Sequence, residues 1–398
     1  MADKEGTLLT SVEGFSAEVT SKLAELWITT AEEFIGASDD TSSQDMADIL
    51  GLSTEEFAVL LDGATAAAPG FSGTRGGPTT FPGLGALDEP EGLDPSESSG
   101  IRAVLPPQAN LIARMPPVRN QQGRGTCVAH ACAAAREYLL GPESTAGNLS
   151  EQYLYWACKQ RDGFPGEGTW IKTAMAVLED EGICTEAIWP YVPTKIAGNE
   201  GQGPPPADAA EEAAAYRIDK GEPVEPRWVN ELKEALAAGK PVAFAVPVYG
   251  YWLTEPVRTN GDIRIPLPAD KTLGGHAMCM VGYQDDADVP GGGYFLVRNS
   301  WGTDWAEKSA AGAGYCRLPY AYMSQFGRSA YTASASQPPK PQPEPTPPPK
   351  PEPTPPPKPE PTPPPKPEPT PPPKPPNPGG KTSFFARLKK LFQSPPRT

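Results

Sequence analysis

Histidine is scarce in this chain of 398 residues, which contains only two histidines and six cysteines. None of these residues shows the C-x₂-C or H-x₃-H spacing that is typical of a metal site. We therefore expect neither a metal nor another cofactor, and any chemistry has to come from the side chains themselves.

Basic residues are also in the minority. The chain has 34 Lys and Arg against 49 Asp and Glu, a formal net charge of −15, which argues against nucleic acid as a general partner. No run reaches the ~18 consecutive apolar residues that a membrane-spanning helix needs. The start of the chain lacks the basic region and apolar core of a secretory signal, so we expect a reducing, cytoplasmic location with free thiols.

Three separated segments carry the strongest chemical pattern in the sequence. In the run 121–131, a turn of small residues leads to Cys127 and to a stretch with helical character. His276 follows 149 residues later, and Asn299 follows after a further 23 residues. This order matches a cysteine nucleophile, its histidine base and an asparagine that orients the base.

The local sequence around Cys127 suits an activated thiol. A helix N-terminus favours a thiolate, and so does a nearby imidazolium. Gly123 and Gly125 allow a tight turn that brings backbone N–H groups close to a substrate carbonyl. The amide of Cys127 and the side chain of Gln121 are then candidate donors to a developing oxyanion.

His276 is the candidate base because Asn299 is placed to fix its tautomer and Trp301 to shield that contact from water. The other histidine, His130, lies three residues after Cys127 on the same predicted helix. We interpret it as a packing residue, although a Cys127–His130 pair is an alternative. The five remaining cysteines are expected to be small buried apolar residues.

The three segments resemble the papain-like cysteine peptidases, particularly the bacterial members without the usual disulfides, from about residue 105 to 322. Two further stretches carry the resemblance, namely Leu-Ser-Glu-Gln-Tyr at 149–153 and Trp-Pro-Tyr at 189–191. The resemblance implies that Cys127 is the nucleophile, His276 the general base and acid, and Asn299 the orienting residue. It implies that Gln121, or Gln122 if the register shifts by one, is the oxyanion donor. Gly168 and Thr169 correspond to the paired glycines that bind substrate backbone, and Trp301 is a further candidate for substrate binding.

The sequence departs from the family pattern at several positions. Val128 replaces the usual tryptophan after the nucleophile, and Arg124 replaces a cysteine, which excludes a disulfide from that position. Thr169 stands where the family has a second glycine, so we expect a narrower cleft. None of these changes removes a catalytic atom.

The resemblance implies an α+β fold with two lobes, a helical lobe and a β-barrel-like lobe, over residues 104–333. In the helical lobe, we predict helices at the nucleophile, at 150–159 and at 170–181, and a further helix at 230–238 leads into the second lobe. Alternating and β-branched residues predict strands at 242–246, 277–281 and 294–297. We expect His276 to open one strand and Asn299 to end the next.

Residues 1–67 form a separate acidic region, with two lysines against fourteen acidic residues. Apolar residues recur at helical spacing, and Thr30 with Glu33 and Ser53 with Glu56 match capping boxes. The pattern predicts a small all-α domain that resembles helix-hairpin-helix or SAM-like domains. Its charge makes phosphate contact unfavourable, which leaves protein docking or passive stabilisation as its role.

A stretch rich in Gly, Pro and Ser, residues 68–103, reads as a linker. Because it directly precedes the peptidase-like region, a part of it is placed to lie across the cleft and to be cut during activation. This hypothesis rests on position alone.

The C-terminal region contains an octad repeat, Pro-Pro-Pro-Lys-Pro-Glu-Pro-Thr, within residues 334–380. Such proline density predicts a disordered polyproline II spacer that reaches roughly 130 Å at ~3.1 Å per residue. Residues 381–398 carry five basic and no acidic residues, and their apolar residues fall on one helical face. We expect a docking peptide for a groove on a partner protein or protein shell, or alternatively for an anionic membrane surface.

Three functions are compatible with these patterns. The favoured one is a cysteine endopeptidase that acts on a peptide or protein substrate through a Cys127 thioester. A related acyl-transfer enzyme, such as a peptide ligase or amidase, would use the same residues. A catalytically silent binding module is the third, and the complete set of candidate site residues argues against it.

Overall fold

The computed structural model describes residues 4–38, 43–71, 82–89, 104–141 and 147–335. The predicted docking peptide 381–398 lies outside the described residues, as does the predicted disordered spacer 334–380 apart from its first two residues. Within these described ranges, no helix is both long enough and apolar enough to cross a membrane.

The N-terminal region is helical, and both predicted capping boxes are confirmed. The Oγ1 of Thr30 accepts from the Glu33 N–H at 3.3 Å, and the Oγ of Ser53 accepts from the Glu56 N–H at 3.2 Å. These caps start two helices that share an apolar core with their neighbours. The helices are α1 (Ala17–Ala24), α2 (Ala31–Ala37), α3 (Ser43–Leu50) and α4 (Thr54–Ala67).

Trp27 attaches this N-terminal region to the rest of the protein. Its ring stacks on Tyr294 with 6.1 Å between centroids, and the Arg317 guanidinium lies 5.5 Å from the ring centroid. The neighbouring Leu26 carbonyl accepts a hydrogen bond from the Ile265 N–H at 3.1 Å. Because Trp27 is buried, this contact contributes apolar burial as well as a cation–π interaction.

The first lobe consists of helices packed around one buried helix that begins at Cys127. That helix is rich in alanine and is buried over almost its whole length, so its neighbours approach its backbone closely. Ser150 caps the next helix by accepting from the Tyr153 N–H at 3.0 Å. The helices are α5 (Cys127–Leu140), α6 (Glu151–Asp162), α7 (Ile171–Asp180) and α8 (Ala209–Ala213), and α5 to α7 match the predicted positions.

The second lobe is a seven-stranded sheet in which all pairs are antiparallel, with the order β2-β7-β3-β4-β5-β6 and with β1 also paired to β4. The central strands β3 and β4 bury both faces. The strands are β1 (Gln108–Asn110), β2 (Lys220–Pro223), β3 (Val242–Tyr249), β4 (Thr272–Asp285), β5 (Gly293–Arg298), β6 (Tyr315–Pro319) and β7 (Ser329–Ser334). The helices of this lobe are α9 (Val229–Ala237), α10 (Glu255–Asn260) and α11 (Tyr320–Phe326).

One detail of the sequence prediction is wrong. His276 does not open β4 but lies inside it, opposite Val246 of β3. The strand begins four residues earlier because Gly274 and Gly275 pair with β3, although glycine disfavours strands by intrinsic propensity. Asn299 directly follows β5, as predicted.

Candidate active site

Cys127 is the first residue of α5 and is completely buried. The residue before it, Thr126, does not cap the helix through its side chain. Its hydroxyl lies 2.8 Å from that of Tyr191 instead. The first-turn N–H groups of α5 are therefore left to face the sulfur and the cleft, where they favour negative charge.

His276 faces this helix from β4, and its tautomer follows from the contacts of Asn299. The Oδ1 of Asn299 accepts from the Ser300 N–H at 2.7 Å, which identifies that atom as oxygen. The same oxygen lies 2.8 Å from His276 Nε2. Nε2 must then carry the proton, and the buried Nδ1, which has no hydrogen-bond partner, keeps its lone pair.

Trp301 covers this pair. Its ring stacks on His276 with 4.7 Å between centroids and an interplanar angle of 27°. Trp301 is itself buried. It therefore contacts the base directly and shields the His276–Asn299 hydrogen bond from water.

Gln121 is held with its amide nitrogen towards the cleft. Ser300 donates its hydroxyl to Gln121 Oε1 at 2.6 Å, which leaves Nε2 to donate to the carbonyls of Gly83 and Arg124, each at 2.8 Å. The alternative donor, Gln122, is exposed. Of the two candidates, Gln121 is therefore the one whose side chain is buried beside the start of α5.

Residues 82–89, part of the predicted linker, lie in the cleft, and we call them the cleft segment. On one wall, the Thr169 N–H donates to the Gly85 carbonyl at 2.9 Å and the Leu87 N–H donates to the Thr169 carbonyl at 3.1 Å. On the other wall, the Ala86 N–H donates to the Gly275 carbonyl at 3.1 Å. The segment therefore bridges both lobes through backbone hydrogen bonds.

Two glycines of the cleft segment are required by this close approach. A Cβ atom on Gly83 would lie 1.9 Å from the Arg124 carbonyl oxygen, and one on Gly85 would lie 2.0 Å from that of Gly125. Both distances are to backbone atoms that cannot move aside easily. Any larger residue at either position would push the segment out of the cleft.

Gly168 and Thr169, the predicted substrate-backbone pair, are both in contact with the cleft segment. Thr169 binds it through its backbone N–H and C=O, as described above. Gly168 has a φ of +99°, and a Cβ there would lie 2.6 Å from the Gly85 carbonyl oxygen. Threonine in place of the family's second glycine is therefore compatible with backbone pairing at this position, here with the cleft segment.

The two candidate reactive groups, Cys127 and His276, are neutral in the covered site. Burial raises the pKa of the Cys127 thiol to about 11, against hydrogen bonds from the backbone of Ala277 and Gly85 that favour the thiolate. Burial likewise lowers the pKa of His276 to about 4, against its hydrogen bond with Asn299. The covered site therefore holds a thiol and an imidazole rather than an ion pair.

His130 packs within the helical lobe. Its Nδ1 lies 3.1 Å from the Thr126 carbonyl, and its ring meets Tyr191 edge-on at 4.9 Å between centroids. The hydroxyl of Tyr191 also donates to the Gln121 carbonyl at 2.9 Å. The sequence did not predict this contact, by which Tyr191 of the Trp-Pro-Tyr stretch joins Thr126, the residue before Cys127, to Gln121.

Comparison with known protein families gives one matching model, described as papain family cysteine protease, over residues 108–332. The chain is 28% identical over 212 residues to an uncharacterized peptidase C1-like protein of Acanthamoeba polyphaga mimivirus, covering 50% of this chain and 63% of that protein. It is 29% identical over 221 residues to a cathepsin B-like protein of Giardia intestinalis, covering 51% and 64% respectively. The chain thus spans just under two thirds of the length of these relatives.

Among solved structures, the chain is similar to xylellain, a cysteine protease from Xylella fastidiosa. The two share 27% sequence identity with a TM-score of 0.54, over 65% of this chain and 98% of that one. The two-lobed architecture is therefore that of a known cysteine protease.

Proposed function

Because the chain belongs to the papain family of cysteine proteases, we propose that it is a cysteine endopeptidase whose resting form is blocked by its own cleft segment. One observation carries this proposal. Gln121 Nε2 donates to the Gly83 carbonyl at 2.8 Å, beside Cys127 at the start of α5. A peptide carbonyl thus already occupies the place where an oxyanion would form.

The groups present supply every step of peptide-bond hydrolysis. The Cys127 thiol gives its proton to His276 Nδ1, and the sulfur attacks the substrate carbonyl carbon. Gln121 Nε2 and the Cys127 N–H stabilise the oxyanion. The C–N bond then breaks, and the leaving amine takes the proton from the imidazolium, which leaves a thioester on Cys127.

Hydrolysis of the thioester reverses these roles. His276 Nδ1 takes a proton from water, and the resulting hydroxide attacks the thioester carbonyl. The C–S bond breaks, the carboxylic acid product leaves, and the proton returns to the sulfur. Asn299 keeps Nε2 protonated throughout, because its Oδ1 has no proton to give.

The first test is covalent trapping. Purified full-length protein is treated with an epoxide-type thiol trap, and the adduct is located by mass spectrometry, with Cys127→Ala and His276→Ala as controls. We expect slow labelling of Cys127 alone in the resting chain and faster labelling once the cleft segment is displaced by Gly85→Leu. No labelling of Cys127 in either form would overturn the proposed activity and favour a silent binding module.

Incubation of the Gly85→Leu protein with a peptide pool and an added amine separates hydrolysis from acyl transfer. Free carboxylic acid products indicate a peptidase. Predominant amine adducts indicate a ligase or amidase on the same site and would replace the peptidase proposal.

For the C-terminal region, we propose that residues 381–398 dock the enzyme in a groove on a partner protein or protein shell in the cytoplasm. The support is their apolar helical face with five basic residues, at the end of a long proline-rich spacer. Deletion of residues 381–398 should abolish co-localisation with the partner and leave peptide hydrolysis unchanged. Deletion of two octads, residues 347–362, is the matched control, and retention of the full-length protein by anionic vesicles would instead indicate a membrane surface.

A further inference from the structure

We propose that one end of the cleft is a binding site for an acidic side chain, built around Arg328, and that it gives the enzyme a preference for peptides with Asp or Glu at one position. The inference rests on the proposed peptidase function. The structure shows the site occupied by two acidic residues of the cleft segment, Asp88 and Glu89.

Arg328 provides the charge of this site. Its guanidinium Nη1 lies 2.7 Å from Asp88 Oδ1, and the side chain of Arg328 is 32% exposed, against 65% for that of Asp88. The same nitrogen comes within 3.5 Å of the Cβ position on Gly275, the residue before His276. The charge of Arg328 therefore lies on the wall of the cleft that carries His276, the proposed base.

A second carboxylate is bound beside the first. Glu89 Oε1 accepts from the Ser329 hydroxyl at 2.8 Å and from the Lys172 N–H at 3.4 Å, and Glu89 Oε2 accepts from the Tyr331 hydroxyl at 3.4 Å. These donors come from both lobes, because Ser329 and Tyr331 lie on β7 and Lys172 lies on α7. The donors thus form a partly exposed polar rim with members on both walls of the cleft.

The start of α7 favours a carboxylate from outside the helix. Its N-cap, Trp170, provides no side-chain cap, and its first turn contains no acidic residue. The Lys172 N–H is one of the donors that such a helix leaves unpaired, and the Glu89 carboxylate accepts its hydrogen bond here. Trp170 also donates its indole N–H to the Asp88 carbonyl at 2.8 Å, which holds the acidic pair in register.

When the cleft segment leaves, the donors remain on the rigid elements α7 and β7. Arg328 itself is anchored because its backbone N–H donates to the Ala245 carbonyl of β3 at 3.0 Å. A substrate that enters the same cleft in extended form then offers its own carboxylate to the same donors. We infer that the segment holds this place because it imitates the acidic side chain of a preferred peptide.

The test uses the full-length Gly85→Leu protein and pairs of fluorogenic peptides that differ only by Glu or Gln at one position, scanned on both sides of the cut bond. We expect kcat/KM to favour Glu over Gln by about fivefold at one position, the scale of a partly exposed ion pair. Arg328→Gln should bring the ratio to about one, and Arg328→Lys should keep part of it.

Arg161→Gln is the matched control, since Arg161 is paired with Asp180 and Glu181 outside the cleft, and it should leave the ratio unchanged. A Glu/Gln ratio of kcat/KM near one at every position, or a ratio that is unchanged in Arg328→Gln, would overturn the inference. Arg328 would then serve only as an ion-pair partner for the cleft segment.

A second measurement works even if no peptide is cut. A synthetic peptide with the sequence of residues 82–89 should protect Cys127 from alkylation at a lower concentration than its Asn/Gln analogue, in the Gly85→Leu background. Arg328→Gln should abolish that difference. Equal protection by the two peptides contradicts the acidic site, whereas absence of cleavage alone contradicts only the proposed activity.

Discussion

The amide nitrogen of Gln121 lies 2.8 Å from the carbonyl oxygen of Gly83, so the proposed oxyanion donor is engaged by the protein's own backbone. The same segment covers Cys127 and excludes water from it. Under the proposed function, control depends on how tightly the eight residues of the cleft segment bind in the cleft, and not on rearrangement of Cys127, His276 and Asn299.

The first prediction concerns the displacement of the cleft segment from the cleft. Gly85→Leu should raise the rate of Cys127 labelling by a thiol trap by about tenfold, because a side chain there meets the Gly125 carbonyl at 2.0 Å and displaces the segment. The rate is measured by intact-mass spectrometry at pH 7.

Gly70→Asn serves as the control for this change, since Gly70 belongs to the same predicted linker, has no atom within 4 Å of its Cβ position, and has a φ of +93° that asparagine tolerates better than leucine. It should leave labelling unchanged. If Gly85→Leu and the wild type label at the same rate, the cleft segment does not limit access to Cys127.

Acid should open the cleft. Burial lowers the pKa of His276 to about 4 in the covered state, below the ordinary value of about 6.5 expected when water reaches the ring. Between these values the open state binds more protons, so the stability of the covered state is present above pH ~6.5 and is lost as pH falls towards 4. Hydrogen exchange at residues 82–89 should therefore quicken, relative to the intrinsic exchange rate, between pH 7 and pH 5.

His276→Gln removes the titrating ring and is the control for the acid effect. In that variant, the exchange of residues 82–89 should lose most of its dependence on pH. An unchanged dependence would assign the opening to other groups.

Tyr191 should act as a positioning residue. Its hydroxyl donates to the Gln121 carbonyl at 2.9 Å and lies 2.8 Å from the Thr126 hydroxyl, so it fixes the donor and the start of α5 relative to each other. In the Gly85→Leu background, Tyr191→Phe should lower kcat about fivefold with little change in KM, since one or two hydrogen bonds of about 1 kcal/mol each are lost.

Tyr138→Phe is the matched control, because the Tyr138 hydroxyl accepts from Arg114 at the far end of α5. It should leave kcat unchanged. A rise in KM alone for Tyr191→Phe would show that the hydroxyl shapes substrate binding and does not position the oxyanion donor.

The contact between His276 and Asn299 and the position of Cys127 at a helix start could be predicted because each residue stands in a local pattern with chemical meaning. The prediction that a strand begins at His276 was wrong because pairing with β3 overrides the low strand propensity of Gly274 and Gly275. The role of Tyr191 was missed because it depends on a contact across 70 residues.

The cleft segment was placed only as a hypothesis from its position in the chain. The hydrogen bonds that join the cleft segment to Gln122, Thr169 and Gly275 run from backbone to backbone, and such bonds leave no residue-type signature. The alternation Gly83-x-Gly85 was the one available signal, because it marks an extended segment with one face pressed against another backbone.

The last prediction concerns the buried ionic cluster beneath the nucleophile helix. Arg119 forms ion pairs with Glu137 of α5 and Glu151 of α6, and both carboxylates are almost fully buried. Burial raises the pKa of Glu137, whereas the charges of His130 and Arg119 outweigh burial and lower the pKa of Glu151. Removal of the guanidinium therefore takes away the ion-pair partner that the two buried acids share.

Arg119→Met should lower the free energy of unfolding by about 3–5 kcal/mol, the cost of breaking a buried pair from one side. Urea unfolding followed by tryptophan fluorescence measures it. Arg161→Met, which breaks a more exposed pair of contacts, should cost less than about 1 kcal/mol. Adding Glu137→Gln and Glu151→Gln to Arg119→Met should restore part of the lost stability, because neutral amides no longer repel each other. If the triple variant is less stable than Arg119→Met alone, the carboxylates stabilise α5 and α6 through contacts other than the charge of Arg119.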